Sequence, residues 1–248
     1  MPPRTADPQF LEPLLGVAFD LDGTLVLSQH DFSRMRRAVI RIAEEHGVRP
    51  GLLSPGDPIH RTVERAREEF RAAGAPDGTV FRFEAEYTRT IDAIEMEALP
   101  RTVARPGAGP LLEGLAARGF RLGILTRSSE NFARGALLRT GLGAYFPYLR
   151  SRSAPGPAKP SPEALLALLH EMGTPIDRAV FVGDHLLDAQ CATGARVRFY
   201  AVLPDAGVEA GGESTEERFL AAGAAAVARD LPGLARVLDV APPPTAPP

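Results

Sequence analysis

Lysine is almost missing from this 248-residue chain: of its 28 Lys and Arg residues, only Lys159 is lysine. Cysteine is as scarce. Cys191 stands alone, which excludes an intrachain disulfide and a cysteine-based zinc site and suits a reducing cytoplasm. No apolar run approaches the roughly 20 residues that a membrane span needs, so no membrane partner is expected. Met1 to Pro8 lacks the basic-then-apolar pattern of a secretory signal, and a cytoplasmic location is the expectation. A formal net charge of −3 provides no basic field to neutralise a phosphate backbone, which makes nucleic acid a poor candidate partner. No G-x-G-x-x-G follows the first apolar run, which argues against a nicotinamide oxidoreductase.

What is present is ordinary globular material. A hydrophobic share of 44% against 24% charged residues is enough to bury a sizeable core and excludes bulk disorder. The length suits one large or two unequal domains. The ends, 1–9 and 241–248, are low in complexity and rich in proline, and are expected to be unstructured.

Four short apolar runs read as buried parallel strands: Leu14 to Phe19, Leu122 to Leu125, Ala179 to Val182 and Val197 to Val202. Helical patterns lie between them. One opens with Ser161 as N-cap and Pro162 at the first helical position, then stops at Gly173. Others run from near Pro110 to Gly119 and from about Glu130 to Gly141. Strands alternating with helices predict an α/β fold, a Rossmann-like doubly wound parallel sheet over 10–27 and 103–240. Residues 28–102 follow another rhythm. Phe32, Met35, Val39 and Ile42, then Ile59, Val63, Ala66 and Phe70, then Val80, Phe83, Tyr87, Ile91 and Ile94 trace three amphipathic helices. This predicts an all-helical insertion, a cap placed directly after the first strand. The alternation of Arg61, Arg65, Arg67 and Arg71 with Glu64, Glu68 and Glu69 reads as a solvated face with helical ion pairs.

The chemistry lies where the strands end. The first runs into Asp20-Leu21-Asp22-Gly23-Thr24, the second into Thr126, and a later one into Gly183-Asp184 with Asp188 beyond. In open α/β sheets the ligand crevice lies outside the carboxyl ends of the strands, so these groups share one edge. Four acids there repel one another unless cations intervene. Hard oxygen ligands select Mg²⁺, which keeps waters and shares a substrate phosphate. Lys159 adds a compact positive charge, Thr126 a hydroxyl, and the amides after Gly23 and Thr126 an anion-binding nest that includes Thr24 and Arg127. Together they read as a metal-assisted phosphoryl-transfer site with a carboxylate nucleophile.

Asp20-Leu21-Asp22-Gly23-Thr24-Leu25, Leu125-Thr126, Lys159-Pro160 and Gly183-Asp184 with Asp188 resemble, in order, the four motifs of the haloacid dehalogenase superfamily. The helical insertion resembles the C1 cap of its phosphoglycolate phosphatase-like members, and the likeness covers about Leu14 to Val240. The resemblance implies that Asp20 attacks phosphorus and that Asp22 protonates the leaving oxygen and later activates water. It implies Mg²⁺ on the side chains of Asp20 and Asp184 and the carbonyl of Asp22, with Asp188 orienting metal waters or Lys159. Gly23, Thr24, Thr126, Arg127 and Lys159 are then the phosphate-contacting positions. A cap in such members closes over the substrate and sets selectivity. Dehalogenation is disfavoured, because a halide needs no proton donor and Asp22 supplies one. The expected activity is a phosphatase acting on a small phosphate ester. A phosphomutase, or a non-catalytic binding or regulatory protein of the same fold, are the alternatives. Oligomeric state has no signature in the chain. His185, where the family more often has a small polar residue, reads as a surface or packing residue, and Cys191 as a packing residue of the helix after the motif.

Overall fold

The computed structural model describes residues 13–204 and 215–240. The expectations for 1–9, for 10–12 and for 241–248 lie outside the described residues. Along the chain come β1 (Gly16–Phe19), β2 (Val26–Leu27), α1 (Phe32–Glu45), α2 (Ile59–Ala72) and α3 (Asp77–Ala98). Next are β3 (Val103–Ala104), α4 (Ala108–Ala117), β4 (Arg121–Leu125), α5 (Glu130–Thr140), β5 (Tyr148–Arg150) and α6 (Pro162–Glu171). The chain continues with β6 (Ala179–Gly183), α7 (Leu186–Gly194), β7 (Arg198–Val202), α8 (Glu216–Ala221), β8 (Ala226–Ala228) and α9 (Leu231–Val237). The described residues fall into two compact units: those of Met1–Ser28 with Thr102–Pro248, and Gln29–Arg101.

The first unit is α/β. Its six-stranded sheet has the order β5-β4-β1-β6-β7-β8, and every neighbouring pair is parallel. Such a sheet is covered by helices on both faces, which is why β1 and β6 are buried at every residue. From the centre of the sheet, β1, β4 and β5 succeed one another toward one edge and β6, β7 and β8 toward the other. The order therefore reverses between the adjacent strands β1 and β6, the position where α/β sheets open a crevice. One face packs Leu165, Leu168, Leu169 and Met172 of α6 and Ala189, Cys191 and Ala192 of α7 against Phe181 and Phe199. A separate antiparallel pair joins β2 to β3, with Val26 opposite Ala104 and Leu27 opposite Val103.

The second unit is helical. Met35, Val39 and Ile42 of α1, Val63, Ala66 and Phe70 of α2, and Phe83, Ile91 and Ile94 of α3 form its core, at the 3.6-residue spacing of amphipathic helices. Asp31 caps α1, accepting from the Arg34 amide at 2.8 Å. Because Phe32 is then the first helical residue, it is half exposed rather than on the expected apolar face. The α2 arginines also pair differently from expectation. Arg67 bonds Glu84 of α3 at 2.7 Å and Arg65 approaches Asp57 at 3.6 Å, so these ion pairs leave their own helix. Among the described residues no helix is long and apolar enough to cross a membrane.

Four strands had no sequence expectation. β5 and β8 are three-residue edge strands with partly exposed side chains, and β2 and β3 have two residues each. None offers a buried apolar run long enough to register as one.

Candidate active site

Register places the site. Phe19 pairs with Ile124 on one side and Val182 on the other, so the residues following β1, β4 and β6 emerge together at the carboxyl edge of the sheet. These are Asp20, Thr126 and Asp184. Lys159 reaches the same edge from the loop before α6, whose first turn is set by Ser161 and Pro162.

Lys159 joins the cluster. Its Nζ donates to Asp20 Oδ1 at 2.5 Å and to Asp188 Oδ1 at 2.7 Å, and lies 5.5 Å from the centre of the Phe181 ring. The ammonium is 3% exposed and Asp188 is 1% exposed, so this ion pair is screened from water and its strength depends on geometry. Burial works to lower the Lys159 pKa, but Asp188 and Asp20 more than offset that and hold the ammonium above its usual range. Burial pushes the Asp20 carboxyl up to about 7, with Asp188 acting in the same direction and Lys159 against it. Asp184 is raised well above the carboxylate range by burial and then by Asp20 and Asp188, while a hydrogen bond from Thr24 lowers it.

Each remaining candidate has a definite place. The Thr24 hydroxyl donates to Asp184 Oδ1 at 2.6 Å, which commits its one hydrogen to that carboxylate. Gly23 was expected to contact phosphate through its turn. Its amide donates to the Val26 carbonyl at 2.8 Å, closing the turn. Its φ of +86° and the closeness of Asp184, whose Oδ2 would stand 2.3 Å from a Cβ there, explain why only glycine fits. Asp22 Oδ1 accepts from the Ser28 amide at 3.2 Å. Thr126 Oγ1 accepts from the Ser128 amide at 3.1 Å, leaving its hydrogen to donate elsewhere. Arg127 turns its guanidinium onto the carbonyl of Lys159, a support for the lysine loop.

His185 is the N-cap of α7. Its Nδ1 accepts from the Leu187 amide at 3.1 Å, and its own amide donates to Asp188 Oδ2 at 3.1 Å. This reciprocal box fixes Asp188 for Lys159. Cys191, further along α7, donates its thiol to the Ser161 carbonyl at 3.2 Å. Burial pushes that thiol up to about 12. A native protein inert to an aromatic disulfide reagent at about pH 8, with one thiol released on unfolding, is therefore expected. Rapid labelling without unfolding would contradict it.

The donor set suits a hard divalent cation. Asp20, Asp184 and Asp188 each bring a carboxylate oxygen to within 4.8 Å of the others, and only one ammonium opposes them. Oxygen donors of this kind favour a hard ion over a soft one. Sequence reading did not anticipate Arg105. This arginine is buried beside the Gly23 turn, and in an arginine-rich chain one more Arg before a Pro-Gly turn carries no signal.

Known proteins resemble this chain in sequence and in fold. The family model for haloacid dehalogenase-like hydrolases matches residues 14–196. The phosphoglycolate phosphatase of Rhodospirillum rubrum is 31% identical over 194 residues, covering 73% of this chain and 76% of that protein. That of Cereibacter sphaeroides is 31% identical over 192 residues, 74% of this chain and 83% of that protein. A solved hydrolase from Pseudomonas syringae shares the fold with a TM-score of 0.63, at 23% identity, over 92% of this chain and 100% of that one. The matched span holds β1 with Asp20, the Lys159 loop and β6 with Asp184, and the chain belongs to the haloacid dehalogenase-like hydrolase family.

Proposed function

We propose that the chain is a Mg²⁺-dependent phosphatase that hydrolyses a small phosphorylated metabolite through an aspartyl phosphate on Asp20. The observation that carries this reading is the buried Lys159 ammonium held between Asp20 and Asp188 at the sheet edge. Lys159 fixes one oxygen of Asp20, and the other is the nucleophile. As the Asp20 oxygen bonds to phosphorus, the ester P–O bond breaks and Asp22 delivers a proton to the departing alkoxide. Asp22, now a carboxylate, takes a proton from a water that attacks the phosphorus, releasing inorganic phosphate and restoring Asp20. The Ser28 amide on Asp22 Oδ1 keeps that carboxyl aimed through both half-reactions.

The Thr126 hydroxyl and Lys159 meet the phosphoryl oxygens, with the Thr24 and Arg127 amides beside them. Asp20 and Asp184, with the Asp22 carbonyl, would hold Mg²⁺, and Asp188 keeps Lys159 in place. When bound, the ion neutralises negative charge on the phosphoryl oxygens and among the acids.

Phosphate release from a panel of monoesters, headed by phosphoglycolate because both relatives act on it by name, tests the reading. Release with Mg²⁺ and its loss in EDTA are expected. Unchanged release in EDTA, or none from any ester, overturns it. A phosphorylated product without free phosphate would instead identify transfer to a sugar hydroxyl. Asp22→Asn is expected to lower kcat by about 10²–10⁴-fold, the range for a positioned general acid or base.

A further inference from the structure

Among the described residues, Arg105 heads the fully buried side chains by size, at 2% exposure. It stands just after β3, and its amide donates to the Leu25 carbonyl at 2.9 Å. Its Nη1 donates to the Gly23 carbonyl at 2.7 Å, and its Nη2 to the carbonyl of Leu203 beyond the end of β7. One arginine thus ties three segments together: its amide holds the β2–β3 pair, and its guanidinium joins the Asp22–Thr24 turn to the carboxyl edge of the sheet.

A buried charge is a costly way to satisfy a turn carbonyl, since water at the surface does the same. What the guanidinium adds is direction. Its donors lie in a rigid planar fork, so two carbonyls bound by one fork are fixed relative to each other. The carbonyl it holds belongs to the peptide between Gly23 and Thr24. Fixing that peptide fixes the Thr24 side, where the hydroxyl meets Asp184, and the Asp22 side, where the carboxylate meets the Ser28 amide. The Gly23 amide is already engaged by Val26. Arg105 therefore removes the rotation left to the turn at its carbonyl end.

We infer that Arg105 is a positioning residue for proton transfer by Asp22, acting through the Gly23 carbonyl. The inference rests on the reading of Asp22 as general acid and base. It makes a distinctive demand: loss of Arg105 harms most the step that needs a well-aimed proton. An alkyl phosphate needs that proton for its alkoxide, whereas p-nitrophenyl phosphate, with its stable phenolate, does not.

The test uses Arg105→Lys and Arg105→Gln in the full chain with both esters. Rapid acid quench follows the rate of phosphoenzyme formation per competent site, the one step in which Asp22 acts as acid, because the later attack of water uses Asp22 as base whichever ester was bound. A fall of about 10- to 100-fold is expected for the alkyl phosphate, in line with the sensitivity of catalysis to misplacement on the ångström scale. KM should stay within about twofold, and p-nitrophenyl phosphate should lose less than about threefold. Lysine, which retains charge but not the fork, should rescue less than half of the loss.

Equal losses for both esters, or wild-type formation rates per competent site with only fewer sites, overturn the inference. Failure of both variants to fold overturns it as well, by assigning Arg105 to the fold. Asp22→Asn run alongside separates the two readings. If phosphoenzyme formation by Asp22→Asn shows no dependence on the leaving group, the assignment of Asp22 as acid fails. If it does show that dependence and the Arg105 variants do not, the Arg105 inference fails alone.

Discussion

Asp20→Asn is expected to abolish turnover, with kcat reduced roughly 10⁴-fold or more, as for other nucleophiles that act within a unit. The amide oxygen is a far poorer nucleophile, and no acid-stable burst of phosphoenzyme should form. The fold should survive. Asp20 is one of three crowded carboxylates, its own charge is already disfavoured by burial and by Asp188, and asparagine keeps its shape. Lys159 retains Asp188 at 2.7 Å. Rapid-quench kinetics and thermal unfolding of the same sample check both halves of the expectation. A full-sized burst from Asp20→Asn would remove Asp20 from the role of nucleophile.

Lys159→Arg is the second large effect, although it conserves charge. The ammonium sits between two carboxylates and against the Phe181 ring at 3% exposure. A guanidinium is planar, longer and bulkier, so it must displace the acids or the ring, and overpacking of this kind costs about 1–3 kcal/mol. Moving the positive charge away from the phosphoryl group should lower kcat by about 10²–10³-fold, the loss seen when one preorganised charge-stabilising donor is removed. Lys159→Met fills the stem but leaves Asp20 and Asp188 facing each other. Breaking a buried pair in this way costs about 3–5 kcal/mol, which urea unfolding can measure. Near-normal turnover in Lys159→Arg would mean that the site needs only a charge and not this particular shape.

Legibility in the sequence followed burial. β1, β4, β6 and β7 are central and apolar, so each could be read to within about two residues of its ends, the shortfall at β1 being Leu14 and Leu15. The edge strands β5 and β8 and the two-residue pair β2–β3 left no such trace, because Val103 and Ala104 are exposed and pairing alone defines them. Asp20, Thr126, Lys159 and Asp184 could be assigned to one edge because strand ends in parallel sheets converge there. Their pairing partners could not. That Thr24 serves Asp184, that Arg127 serves the Lys159 carbonyl and that Gly23 turns its amide inward depend on side-chain and peptide orientation. Residue type alone does not encode those choices. His185 is the instructive case: its role is to cap α7, a task for which the residue three positions on, Asp188, supplies the reciprocal half.

The burial of Lys159 reaches beyond the site. It is the chain's single lysine, so the folded surface offers no ε-amine for acylation, reductive methylation or amine-directed cross-linking. Such reagents leave the side chains of the native state untouched and modify one position when the protein opens. Modification of that single position is thus a built-in chemical record of how often the sheet edge admits solvent.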